Sequence, residues 1–142
     1  MEWTVQAIRG ATTVSDNTVE AIREAVMELL DELQTQNQLH PDYIISALFS
    51  VTPDLDAVYP AAIARERPHW NRVPLLDVQQ MYVKGGLPRC IRFLIHVRLP
   101  ESNPEIHHPY LRQAQGLRPD LNSQQDPVSA AIAQHSHSHH PS

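Results

Sequence analysis

Ile91-Arg92-Phe93-Leu94-Ile95-His96-Val97-Arg98 alternates without a slip. Side chains on a strand point to opposite faces in turn, so Ile91, Phe93, Ile95 and Val97 share one face. Arg92, Leu94, His96 and Arg98 share the other. One side of this strand therefore faces a core, and the other carries two guanidinium groups. The isolated pair Gly85-Gly86 upstream reads as a turn.

Working outward, Trp3 to Arg9 reads as a second strand, with Val5, Ala7 and Arg9 on one face and Thr4, Gln6 and Ile8 on the other. Gly10 is expected to end it. Tyr43 to Val51 is an almost unbroken apolar run, the pattern of a strand buried on both faces. Val73 to Val83 is strand-like but interrupted by Asp77, Gln79 and Gln80. Tyr110 to Leu117 reads as a last strand. Between the first two strands, Ile22, Ala25, Val26, Leu29, Leu30 and Leu33 form an apolar stripe at helical spacing. Asn17 and Glu20 resemble a capping box, so the helix is expected over 18–36. Pro60 suits the first turn of a short helix reaching about Glu66.

The order β-α-β-α-β-β-β predicts an α+β domain, a mixed sheet with helices on one side. Two helices cannot cover both faces of such a sheet. The uncovered face would expose apolar side chains, which predicts a homo-oligomer with sheets facing one another.

The 142 residues and 42% apolar composition suit one domain with a sizeable core. A single cysteine, Cys90, excludes an intrachain disulfide and fits a reducing, cytoplasmic setting. The start of the sequence shows no basic region followed by a long apolar run, and no stretch reaches the length of a membrane span. The net charge of −5 argues against nucleic acid as a partner. Residues 1–121 are expected to form the folded domain, and 122–142, rich in Ser, Gln and His, a disordered tail.

Ten of the 11 basic residues are arginine, whose planar fork suits carboxylates. Arg9 falls at a strand end, Arg92 on a strand face, Arg65 on the short helix and Arg118 after the last strand. Together they predict an anion pocket. Nucleophilic catalysis finds little support: no serine sits in a Gly-x-Ser-x-Gly elbow, no glycine-rich phosphate loop occurs, and Cys90 reads as a small packed residue. His107 and His108 read as surface residues. His135, His137, His139 and His140 lack the preorganisation of a metal site, so neither a metal nor another cofactor is expected.

Ala7-Ile8-Arg9-Gly10-Ala11-Thr12-Thr13 resembles the N-terminal signature of the monofunctional chorismate mutases that form trimeric pseudo-α/β-barrels. Further matches follow in order: Ser50-Val51-Thr52-Pro53-Asp54-Leu55, Ala57-Val58-Tyr59-Pro60-Ala61 through Arg65, Val73-Pro74, Gly85-Gly86-Leu87 and Cys90-Ile91-Arg92. His108, Tyr110-Leu111 and Leu117-Arg118-Pro119-Asp120-Leu121 complete the set. The resemblance implies an isomerase that rearranges chorismate to prephenate on the route to phenylalanine and tyrosine, without a cofactor. It further implies a homotrimer with active sites at subunit interfaces.

In that resemblance Arg9 binds a substrate carboxylate, and Arg92 hydrogen-bonds the ether oxygen of the breaking bond. Tyr110 helps hold the substrate. Tyr59, Ala61 and Arg65 line the pocket, Leu76, Asp77, Val78, Gln79 and Gln80 form a wall, and Leu117 and Arg118 close over it. Tyr59 stands where the family has phenylalanine, and Ala62 where a lysine is familiar. Gln80 replaces the usual glutamate and Asp77 a common cysteine, which suggests a relocated carboxylate. A regular strand would point 77 and 80 to opposite faces. The competing reading is a trimeric binder of small carboxylated metabolites, either non-catalytic or imine-hydrolysing.

Overall fold

A computed structural model describes residues 2–100 and 105–121. The expected tail, 122–142, lies outside them. Four strands form one sheet: β1 (Trp3–Thr13), β2 (Ile44–Val51), β3 (Leu75–Gln79) and β4 (Cys90–Pro100). Their order across the sheet is β1-β4-β2-β3. β4 pairs antiparallel with β1 and with β2, and β2 pairs parallel with β3. The mixed sheet predicted from the sequence is present, with β4 at its centre.

The helix α1 (Val19–Asn37) buries its whole apolar stripe, Ile22, Ala25, Val26, Leu29, Leu30 and Leu33. These side chains join Ile8, Ala47, Phe49, Ile91, Phe93, Ile95 and Val97, and Ile63 of the short helix α2 (Pro60–Ala64), in one core. Both helices therefore cover the same side of the sheet. Burying a large aliphatic side chain contributes roughly 1.5–3 kcal/mol, so this layer holds the fold together.

Several expectations change. Gly10 does not end β1, which continues to Thr13. The reason is space rather than turning: Gly10 lies under the Phe93 ring, and an added Cβ would meet Phe93 Cζ at 2.6 Å. The α1 cap is Thr18, whose hydroxyl accepts from the Ala21 N–H. Asn17 instead ties down a distant loop, its Oδ1 accepting from the Asp56 and Ala57 N–H groups while its Nδ2 donates to Asp56.

The run 43–51 is buried on one face only: Ile45 and Tyr43 are exposed. The run Val73 to Val83 shortens to the five residues of β3. No last strand forms over 110–117. Tyr110 makes an isolated parallel bridge to Ala11, and a 3-10 turn occupies Arg112–Gly116. Arg112 adopts φ 52°, a left-handed conformation that breaks an extended run at once.

Among the described residues, nothing covers the second face of the sheet. Val5, Leu76 and Leu94 stand there with 67%, 60% and 41% of their surface exposed. Strand pairing places Ala7, Leu48 and Val78 on the same side.

Candidate active site

Arg92 comes from the polar face of β4, beside Ser50 of β2 and Ala11 of β1. Its strand start is fixed by Thr52, whose hydroxyl accepts from the Cys90 N–H at 3.0 Å and donates to Asp54. The Arg92 Nε is buried and has no hydrogen-bond partner among the described residues. The side-chain oxygen of Gln80 is in the same condition. Buried donors and acceptors are almost always paired, so two orphans in one place mark where a polar ligand belongs.

Both residues border a cavity of about 540 Å³, lined among others by Thr52, Gln80, Met81, Arg92 and Leu117. Gln80 is held by its own N–H donating to Val51 O at 2.8 Å, one residue past the end of β3. Arg92 also borders a second, smaller cavity of about 210 Å³ with Arg9, Gly10, Ser50 and Tyr110.

Tyr110 is 7% exposed. Burial pushes its hydroxyl above the usual range, while the nearby cations Arg9, Arg118 and Arg92 pull the other way. Three guanidinium groups thus act electrostatically on one phenol, and two of them, Arg9 and Arg92, share a cavity with it. Arg118 is gripped by Asp120 through two hydrogen bonds of 3.1 and 2.8 Å. Cys90 is fully buried, and burial raises its thiol pKa against the pull of Arg92, so it is a packed residue rather than a thiolate.

A second group of expected residues gathers elsewhere. Tyr59, Pro60, Asp77, Val78 and Gln79 line an adjoining cavity of about 540 Å³, which shares Thr52 and Pro53 with the first. Tyr59 is 71% exposed, and Ala61 is buried at the start of α2. Asp77 faces the helices: its Oδ1 accepts the Ala61 N–H at 3.0 Å. Desolvation raises its pKa, opposed by that hydrogen bond and by Arg65. Leu76 lies on the open sheet face.

Within one chain, then, Arg9, Arg92, Tyr110, Gln80 and Leu117 converge, and Arg118 stands near them. Tyr59, Ala61, Arg65, Asp77, Val78 and Gln79 form another set. The expected relocation of the carboxylate does not bring Asp77 to Gln80, because the strand alternation that separates 77 from 80 holds. Sequence reading missed His108, which is half-buried rather than on the surface, with Nδ1 accepting the Arg9 N–H at 3.1 Å.

The open mixed sheet thus carries a pocket lined by guanidinium groups and by two buried polar atoms without partners among the described residues. The sequence model of the family "Chorismate mutase type I" matches residues 5–121. The chain is 41% identical over 118 residues to the chorismate mutase AroH of Bacillus subtilis, covering 83% of this chain and 93% of that protein. It is 41% identical over 122 residues to the chorismate mutase AroH of Thermus thermophilus, covering 85% and 99%. The structure is similar to the chorismate mutase of Clostridium thermocellum, with a TM-score of 0.73 at 44% identity over 78% of this chain and 97% of that one. This chain belongs to the type I chorismate mutase family, and its activity is that of an isomerase.

Among the described residues no helix is long and apolar enough to cross a membrane.

Proposed function

We propose that this protein rearranges chorismate to prephenate in a homotrimer, each site being completed by a second copy of the chain. The carrying observation is that the expected site residues line two different, adjoining cavities on one chain, while among the described residues nothing covers the apolar second face of the sheet. A rotation that brings one copy's Arg92 set against the next copy's Arg65 set covers that face and joins the halves. Such head-to-tail contacts close into a ring.

The reaction is unimolecular: one C–O bond breaks as one C–C bond forms, and no proton is transferred. The protein therefore needs no nucleophile. It must hold the compact conformer and stabilise the charge that grows on the ether oxygen. Arg92, with its buried unpartnered Nε, supplies the donor to that oxygen. Arg9 holds a carboxylate, Tyr110 supports it, and Leu117 and Arg118 bound the pocket. The Gln80 oxygen accepts from the substrate hydroxyl in place of the family's glutamate. Tyr59, Ala61, Arg65, Leu76, Val78 and Gln79 furnish the facing wall.

Asp77 acts on that wall indirectly, by fixing the first turn of α2. Its raised pKa means that ionisation is disfavoured on folding, so its contribution to stability diminishes as pH rises through the folded pKa. Asp77→Asn keeps an acceptor for the Ala61 N–H and removes the desolvated charge. We expect its melting temperature at pH 7 to equal or exceed the parent's, with chorismate kinetics retained. Asp77→Ala should melt lower and raise KM, while Gln80→Ala should lose turnover without melting lower. The comparison is made by thermal melts and by the absorbance loss of chorismate. If Asp77→Asn loses turnover as Gln80→Ala does, Asp77 touches substrate after all, and the wall assignment is wrong. No chorismate loss by the parent protein would reject the function.

A further inference from the structure

Glu105–Leu111 forms a strap along the free edge of β1. It is anchored at one end by Asn37, the last residue of α1, which is 6% exposed. The Asn37 amide donates to His107 O at 2.9 Å and accepts the His107 N–H at 2.7 Å. From there the strap is laced to β1 three times. The Arg9 N–H donates to His108 Nδ1, the Ala11 N–H to Pro109 O at 3.0 Å, and the Leu111 N–H to Ala11 O at 2.9 Å. The first of these contacts is the one made by a side chain, and that side chain titrates.

We propose that His108 is a positioning residue: its neutral imidazole fixes the backbone of Arg9, beside Tyr110, and so makes substrate affinity depend on its protonation state. The inference rests on the reading that Arg9 binds a carboxylate of the substrate. An edge strand has no second neighbour to hold its outward N–H groups, so without the imidazole the Arg9 N–H turns to water. A guanidinium on a loosened backbone then pays more entropy when it closes on a carboxylate.

The direction of the pH effect follows from the donor inventory. Neutral His108 accepts at Nδ1; protonated, it carries N–H groups on both nitrogens and faces the Arg9 N–H donor to donor. Burial and three neighbouring groups set its titration. Burial disfavours the cation, Arg9 on β1 and Arg118 of the C-terminal segment repel it, and His107 on its own segment does so more weakly. The hydrogen bond accepted from the Arg9 N–H exists only for the neutral ring, so it favours the neutral form as well. The net pKa lies below the ordinary histidine value of about 6.5. Affinity is therefore complete at neutral pH and falls as the pH drops through that lowered value.

The test measures chorismate KM and kcat from pH 5 to 8 for the full chain and three variants. The parent's KM should climb on the acid side. His108→Asn offers an oxygen that accepts but does not protonate, so its KM should stay flat with pH and lie within roughly threefold of the parent's at pH 7.5. His108→Leu, which cannot accept, should raise KM roughly 3–10-fold at pH 7.5 with a smaller change in kcat, as expected for loss of binding shared by ground and transition states. In the Arg9→Ala background the same His108→Leu change should add little, because the two act as a unit. An acid limb in His108→Asn equal to the parent's overturns the proposal. So does a full additional KM increase from His108→Leu on top of Arg9→Ala, which would show a role independent of Arg9. An unchanged KM in Arg9→Ala alone instead sinks the reading of Arg9.

Discussion

Arg92→Ala is expected to lower kcat for chorismate by roughly 10²–10³-fold, the loss typical of removing one oxyanion donor, about 3–4 kcal/mol. The case rests on where the donor sits. Arg92 Nε is buried and unpartnered among the described residues, and Arg92 lines one cavity with Gln80, whose oxygen is in the same condition. Its backbone is locked in the centre of the sheet between β1 and β2, and the start of its strand is tied to Thr52. A donor so fixed costs little reorganisation when charge develops. Because the interaction strengthens only as the C–O bond breaks, kcat should fall more than affinity. Arg92→Lys should recover little: a single ammonium lacks the fork and would not reach with the same direction. The check is steady-state kinetics beside circular dichroism, since the substitution creates no large void and the fold should persist. A KM increase with kcat intact would assign Arg92 to plain substrate binding.

Gly10→Ala is the second large effect, expected to reduce stability by about 1–3 kcal/mol and activity with it. The added Cβ would lie 2.6 Å from Phe93 Cζ and 2.7 Å from Pro109 O. The ring belongs to a filled core and edges against Phe49, and the carbonyl belongs to the strap that carries His108 and Tyr110. One or both must move. If the ring holds, the strap lifts from β1, and Arg9 loses its neighbour. Gly116→Ala is the control, because nothing lies within 4 Å of its added Cβ. Thermal melts and chorismate kinetics of both variants give the answer; equal melting temperatures would show that the strap yields without cost.

The sheet and α1 were legible because their signals are periodic. The β4 alternation and the Ile22-to-Leu33 stripe leave few other places for those side chains. Boundaries failed where a tertiary contact decided them: Gly10 reads as a breaker but is a gap under Phe93. Tyr110–Leu117 looks extended until Arg112 turns left-handed. Asn17 has the chemistry of a cap, yet Thr18 takes that place and Asn17 reaches a loop 39 residues away. At the site, the strand positions of Arg9 and Arg92 were readable from the sequence pattern, whereas Tyr110 entered only through the family likeness. His108 was not, because nothing local shows that its ring meets the edge of β1. Nor was the grouping of the lining residues, because Asp77, Val78 and Gln79 border one cavity while Gln80, the next residue, borders another.

That division is the central claim, and a mixing experiment tests it most directly. Arg92→Ala and Arg65→Ala each disable one of the two sets. Purified separately, both should be nearly inactive. Unfolded together in equal amounts and refolded, they should assort into mixed trimers in which about a quarter of the sites pair an intact Arg92 with an intact Arg65 from its neighbour. Chorismate turnover near a quarter of the refolded parent's is the predicted result. Turnover no greater than the sum of the two separate variants would contradict a site shared between copies.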